Sequence, residues 1–192
     1  PWTVATYMVE GGSSKEFFEV KKWAYADPVG FGRLIDVLVE ATASYLIEQV
    51  NAGAEVVQLF DSWAGVLPAG MFRRWVIEPT IQLVSLFRAV HPETPIIGFP
   101  RGAGLNYRSY AAETGVTALG LDTMVSGAWA ARLGLPVQGN LDPAYLLTGG
   151  DKMVSAVHEI LQGFGDTPFI FNLGHGVNKD TPPEHVGELV AA

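Results

Sequence analysis

The sequence predicts an α/β protein of parallel strands joined by helices and, among such folds, a (β/α)8 barrel. Three observations carry this. Short apolar runs bounded by Gly, Pro, Asn or Asp alternate with longer segments of helical period. Polar residues gather just after several of those runs, at Asp61-Ser62, Arg101, Asp122-Thr123, Asn140–Asp142 and Asn172–His175, as on the rim where a barrel builds its site. No G-x-G-x-x-G or P-loop follows any run, which weighs against an open nucleotide-binding sheet. About five βα units can be counted, too few to close a barrel of this type.

The strand candidates are Glu55–Phe60, Pro95–Phe99, Ala118–Asp122, Val137–Leu141 and Phe169–Leu173, each apolar enough to be buried on both faces. Between them lie helices with readable ends. Asp27 caps a segment with Pro28 in its first position and Gly53 beyond its end, with Phe31, Leu34, Leu38, Tyr45 and Leu46 at helical spacing. Pro68 opens the next helix, and Pro79 is expected to break or kink it before Ile81–Val90 resumes. Asp151 is expected to cap a helix that buries Val154, Val157 and Leu161 and stops near Gly163. Thr181-Pro182-Pro183-Glu184 reads as a capping box opening a last helix through Val186, Leu189 and Val190. No linker or repeat divides the chain, so residues 1–192 are expected to form a single domain.

Composition excludes several function classes. The 192 residues are 48% hydrophobic and 17% charged, which rules out intrinsic disorder. No apolar run reaches the ~18 residues of a membrane span. With no Cys, disulfides, thiolate zinc sites and cysteine nucleophiles are all absent. The charge of −8, from 12 Lys+Arg against 20 Asp+Glu, leaves no basic footprint for nucleic acid. Arg73-Arg74 and Lys21-Lys22 read as solvated helix faces. Pro1-Trp2-Thr3 lacks the basic start and apolar core of a signal peptide, so the expected compartment is the cytoplasm. The absence of an initial Met suggests a fragment.

Three segments carry chemistry. In Asn172-Leu173-Gly174-His175-Gly176, two glycines let the backbone and imidazole approach a ligand closely, and the ring is able to act as acid, base or donor. The bland alternative is a turn that ends a strand. Phe60-Asp61-Ser62-Trp63-Ala64-Gly65 brings a carboxylate, a hydroxyl and aromatic surface off one strand, fit to orient a polar substrate, unless Asp61 or Ser62 simply satisfies a helix N-terminus. Tyr7 offers a phenol donor, although taken alone it reads as core. His91 lies in a loop before Pro92, and His158 and His185 read as surface residues on helices. No H-e-x-x-H-like pairing favours a metal, and Asp122 and Asp142 read as caps at strand ends.

Taken together, these segments resemble the uroporphyrinogen decarboxylase family. The stretches that carry the resemblance are Pro1-Trp2-Thr3, Tyr7–Gly12, Gln58–Gly65, Gly120-Leu121-Asp122, Gln138–Pro143, Asn172–Gly176 and Thr181–Val186, in order along the whole chain. The resemblance implies a TIM barrel of which this chain is the carboxyl-terminal portion, beginning after the third strand. It implies a carboxy-lyase of haem and porphyrin biosynthesis that removes CO2 from the four acetates of uroporphyrinogen III, giving coproporphyrinogen III, with no cofactor. It also implies a homodimer. Carried over position by position, Tyr7, Ser62 and His175 are the catalytic residues and contact substrate carboxylates, and Phe60 lines the pocket. The family's arginine-rich amino-terminal loop and its aspartate facing the pyrrole nitrogens would lie upstream, so the missing part of the barrel is expected to be required and this chain alone to be inactive. No family role transfers to Arg101. The alternatives are a corrinoid- or coenzyme M-linked methyltransferase of the same superfamily, which the absence of Cys disfavours, and a non-catalytic fragment.

Overall fold

The computed structural model describes residues 1–12 and 14–192. They form two compact units, Pro1–Thr117 and Ala118–Ala192.

The first unit opens with α1 (Trp2–Glu10), α2 (Phe18–Ala26) and α3 (Pro28–Asn51). Asp27 caps α3 as its sequence requires, accepting from the Gly30 amide at 2.9 Å, with Pro28 in the first turn where no N–H is needed. The buried face of α3 is Phe31, Ile35, Val39, Ala43 and Leu46, spaced by four and three. Leu34 and Leu38 lie beside it, half-buried, and Tyr45 is 64% exposed, so the expected stripe is rotated. Strand β1 (Val57–Asp61) follows.

Next come α4 (Ala69–Phe72), a π-helical turn over Arg73–Ile77 and α5 (Glu78–Arg88) without a break. Pro79 does not break this helix. In an unbroken α-helix its ring would meet the Trp75 carbonyl. The wider turn, in which the Glu78 amide donates to the Arg73 carbonyl, relieves that clash. Strand β2 (Ile96–Pro100) and α6 (Tyr107–Glu113) complete the unit. β1 and β2 are parallel, with Val57 opposite Ile96 and Asp61 opposite Pro100, so their carboxyl ends lie on one side.

The second unit runs β3 (Ala118–Gly120), α7 (Gly127–Ala130), β4 (Val137–Leu141), α8 (Pro143–Thr148), α9 (Gly150–Phe164), β5 (Phe169–Leu173) and α10 (Pro183–Ala191). β4 pairs in parallel with β3, Leu119 opposite Val137, and with β5, Val137 opposite Phe169 and Leu141 opposite Leu173. The strand–helix alternation and parallel pairing are those of a partial (β/α) barrel. All residues of β2, β3 and β4 are buried. β5 instead alternates half-buried and exposed positions, contrary to the expectation of burial on both faces. Its inward residues Phe171 and Leu173 pack on Leu141, Leu146, Met153, Ala156 and Val157.

Two helix starts differ from expectation. Asp151 lies inside the first turn of α9, whose cap position is Gly149, and Val157 is buried with Met153 and Ala156 while Leu161 is 44% exposed. The capping box at α10 does not form. Pro182 holds the cap position, and the buried Thr181 hydroxyl has no hydrogen-bond partner among the described residues. The helix starts one residue later than the box requires, and Pro183 removes the amide two residues beyond Thr181, leaving only the Glu184 amide as a donor for Thr181.

Candidate active site

The strand-end residues of the first unit meet the start of α1. Asp61, the last residue of β1, turns its carboxylate onto Thr3: Oδ1 accepts from the Thr3 amide at 3.2 Å and from the Thr3 hydroxyl. The Thr3 hydroxyl in turn accepts from the Trp63 amide at 3.0 Å, and the Trp2 indole N–H donates to the Trp63 carbonyl at 2.9 Å. The amino-terminal turn of α1 is therefore tied to residues 61–63 by four hydrogen bonds. Asp61 is 7% exposed. Burial pushes its carboxyl above the ordinary 3.8, opposed by the Thr3 hydrogen bonds. The reading of Asp61 as a helix-terminus acceptor holds, but the helix served is α1, remote in sequence.

This joint organises the predicted site residues of the first unit. Tyr7 lies one turn beyond Thr3 on α1 and is 53% exposed, which corrects its reading as core. Phe60 is 65% exposed on β1 and stands edge-on to its register partner Phe99, centroids 6.0 Å apart. Ser62 is half-buried in the turn that the Trp63 amide anchors. Arg101, after β2, donates its amide to the Asp61 carbonyl at 3.1 Å, and its guanidinium lies 6.0 Å from the Trp63 ring centre. Gly65 and Gly102 pack backbone to backbone beneath it: a β-carbon on Gly65 would fall 2.5 Å from the Gly102 oxygen.

The second unit carries the His175 turn. Gly174 donates to the Leu141 carbonyl at 2.8 Å, and a β-carbon there would strike Thr123 and the Asn140 oxygen, so only glycine fits. His175 follows directly and is exposed. Asn140, 8% exposed, donates through Nδ2 to the Asp122 carbonyl at 2.7 Å and the Val125 carbonyl at 2.6 Å, so its amide braces the loop after β3. Asp122 and Asp142 accept from the Met124 and Ala144 amides at 3.0 and 2.9 Å, the capping role expected of them. Tyr7, Phe60 and Ser62 thus belong to one unit and His175 to the other.

The remaining candidates have structural work. His185 is half-buried, not a surface residue: its Nδ1–H donates to the Leu146 carbonyl at 3.0 Å, and its ring lies where a β-carbon on Gly149 would be. His158 is exposed, and the half-buried His91 tilts against Phe87. Arg73 is not merely solvated, since it grips Glu113 through two hydrogen bonds of 2.9 and 2.7 Å, and Arg74 lies over the Trp75 ring. Sequence reasoning missed Thr3 as a partner of Asp61, although both fall inside the stretches that carry the family resemblance. Among the described residues, no group of three or more His, Cys, Asp or Glu is placed to hold a metal ion, and no helix is long and apolar enough to cross a membrane.

Comparison with known proteins matches residues 1–192 to the family described as uroporphyrinogen decarboxylase (URO-D). Curated relatives bearing that name include those of Rhodospirillum rubrum, 52% identical over 99% of this chain, and Rhizorhabdus wittichii, 56% identical over 100%. Another, from Sphingopyxis alaskensis, is 51% identical over 99%. The chain spans 56% of the length of each of these relatives. The match over every residue, at this level of identity, means that the chain belongs to the uroporphyrinogen decarboxylase family.

Proposed function

We propose that this chain serves the decarboxylation of uroporphyrinogen to coproporphyrinogen, without a metal or organic cofactor. The observation that carries the proposal is identity of 51–56% across essentially the whole chain to proteins named for that activity. In each of four rounds an acetate side chain loses CO2 and its methylene carbon gains a proton to become a methyl group. A protonated pyrrole ring takes up the electron pair as the C–C bond breaks, so the substrate stabilises its own carbanion. The protein then has to hold carboxylates in place and exclude other geometries.

On this reading the Tyr7 phenol and the Ser62 hydroxyl donate to substrate carboxylates, His175 does the same from the strand-end turn, and Phe60 supplies apolar wall. His175 and Tyr7 orient acetates and do not transfer the decisive proton. The exposure of Tyr7, Phe60 and His175 supports these roles, since each presents surface to solvent. A cytoplasmic homodimer is part of the same proposal.

The test is an anaerobic assay with uroporphyrinogen, separating products by carboxylate number. It is run on this chain and on a polypeptide of relatives' length in which the Rhodospirillum rubrum relative supplies the uncovered part. Stepwise loss of carboxylates supports the proposal, and no product from the longer polypeptide overturns it. Full turnover of all four acetates by His175→Ala in that polypeptide removes His175 from the site.

A further inference from the structure

We propose that Thr3 and Asp61 form a positioning pair that holds the Tyr7-bearing helix against the Ser62 turn. The inference rests on the decarboxylase reading for its chemical consequence, while the mechanical part stands alone. The Thr3 hydroxyl is the hub. It donates to Asp61 Oδ1 and accepts from the Trp63 amide at 3.0 Å, so one oxygen joins the end of β1, the turn after it and the first turn of α1. The Thr3 amide adds a second bond to the same carboxylate oxygen at 3.2 Å. Thr3 and Asp61 are each 7% exposed, which keeps the pair out of reach of a carboxylate-bearing substrate.

The two hydroxyl donors proposed for the substrate lie immediately beyond the pair on either side. Tyr7 follows Thr3 by one helical turn, and Ser62 follows Asp61 by one residue. A buried acid that touches no ligand yet lies between an exposed donor, Tyr7, and a half-buried one, Ser62, acts through them. Loss of the Thr3 hydroxyl strands the Trp63 amide and halves the donors to Asp61, which frees α1 to shift. A displacement of about 1 Å in a substrate-holding group costs on the order of 100-fold in rate.

Thr3→Val keeps the shape and removes the hydroxyl, whereas Thr3→Ser keeps the hydroxyl and removes the methyl. The chain has no Cys, so spin labels go cleanly onto Met8→Cys and Leu86→Cys, both exposed positions of this unit. The expected result in the 192-residue chain is a narrow distance distribution for the parent and Thr3→Ser and a broadened or shifted one for Thr3→Val. In the longer polypeptide, Thr3→Val is expected to lower kcat about 10- to 100-fold with KM within about two-fold, and Thr3→Ser to restore it. If Thr3→Val fails to fold, Asp61→Leu and Asp61→Asn replace it: Asn retains an acceptor for Thr3 and is expected to keep the narrow distribution, Leu to lose it. An unchanged distribution in Thr3→Val, or equal loosening in Thr3→Val and Thr3→Ser, overturns the proposal. Absence of turnover in the parent longer polypeptide instead overturns the decarboxylase reading, and the distance measurement still decides the pair.

Discussion

Gly174 lies so close to Thr123 that a β-carbon on it would fall 2.7 Å from both the Thr123 amide nitrogen and its methyl group. The contact brings the residue before His175 against the loop after β3. Gly174→Ala is expected to destabilise the second unit by about 1–3 kcal/mol through overpacking, read from urea unfolding. Gly176 has nothing within 4 Å of the equivalent position, so Gly176→Ala is the matched control and is expected to leave the midpoint nearly unchanged.

Phe31 is the aromatic centre of the first unit. Its ring is fully buried and meets Trp2, Trp23 and Trp75 edge-on, with centroids 6.0, 5.5 and 4.8 Å away. Phe31→Ala is expected to cost about 3–5 kcal/mol, because three rigid rings cannot collapse into the void. Tryptophan fluorescence follows this transition directly, since the substitution removes a neighbour common to three indoles.

Asp61 gives the first unit a pH dependence of definite sign. Its carboxyl is raised above 3.8, chiefly by burial, so the fold favours the protonated form. The contribution is therefore complete below the ordinary value and is lost as pH rises through the raised one. Relative to Asp61→Asn, which does not titrate, the parent is expected to lose stability as pH rises above the ordinary 3.8 in a series of urea titrations. Parallel curves for the two proteins would show that Asp61 is ionised without cost in the fold.

The Arg73–Glu113 pair behaves in the opposite sense. The hydrogen bonds from Arg73 are the main cause holding Glu113 below its ordinary 4.5, so its contribution is present above that value and is lost as pH falls through the lowered one. The pair clamps the start of the π-helical turn to the end of α6, but both ends are in water. The effect of Glu113→Gln is expected to be small, to vanish in acid and to shrink when salt is added. A loss that persists in 1 M salt, where the Debye length is about 3 Å, would show that the two hydrogen bonds matter more than the charges.

Much of this protein was legible without coordinates. The runs Val137–Leu141 and Phe169–Leu173 are strands over the expected residues, and the other three shift by one or two. Asp27, Asp122 and Asp142 cap as their types and places require. These features depend on backbone groups two or three residues away, so their signals are contained in short windows of sequence. Family membership was legible for another reason: the ordered segments from Pro1 to Val186 form a pattern that no local rule generates.

Tertiary structure decided what depends on distant partners. Pro79 signalled a break, yet the π-helical turn ahead of it lets the helix continue. Thr181-Pro182-Pro183-Glu184 had the letters of a capping box, but the helix starts one residue later, with Pro182 in the cap position and the Thr181 hydroxyl without a partner among the described residues. Tyr7 faces solvent, which is a property of what α1 packs against and not of its own sequence. The sequence left Asp61 open between a substrate-orienting carboxylate and a helix-terminus acceptor; it closes on Thr3, 58 residues earlier in the chain. A buried carboxyl finds its partner through packing, because the desolvation it must offset exists only once the chain has folded around it.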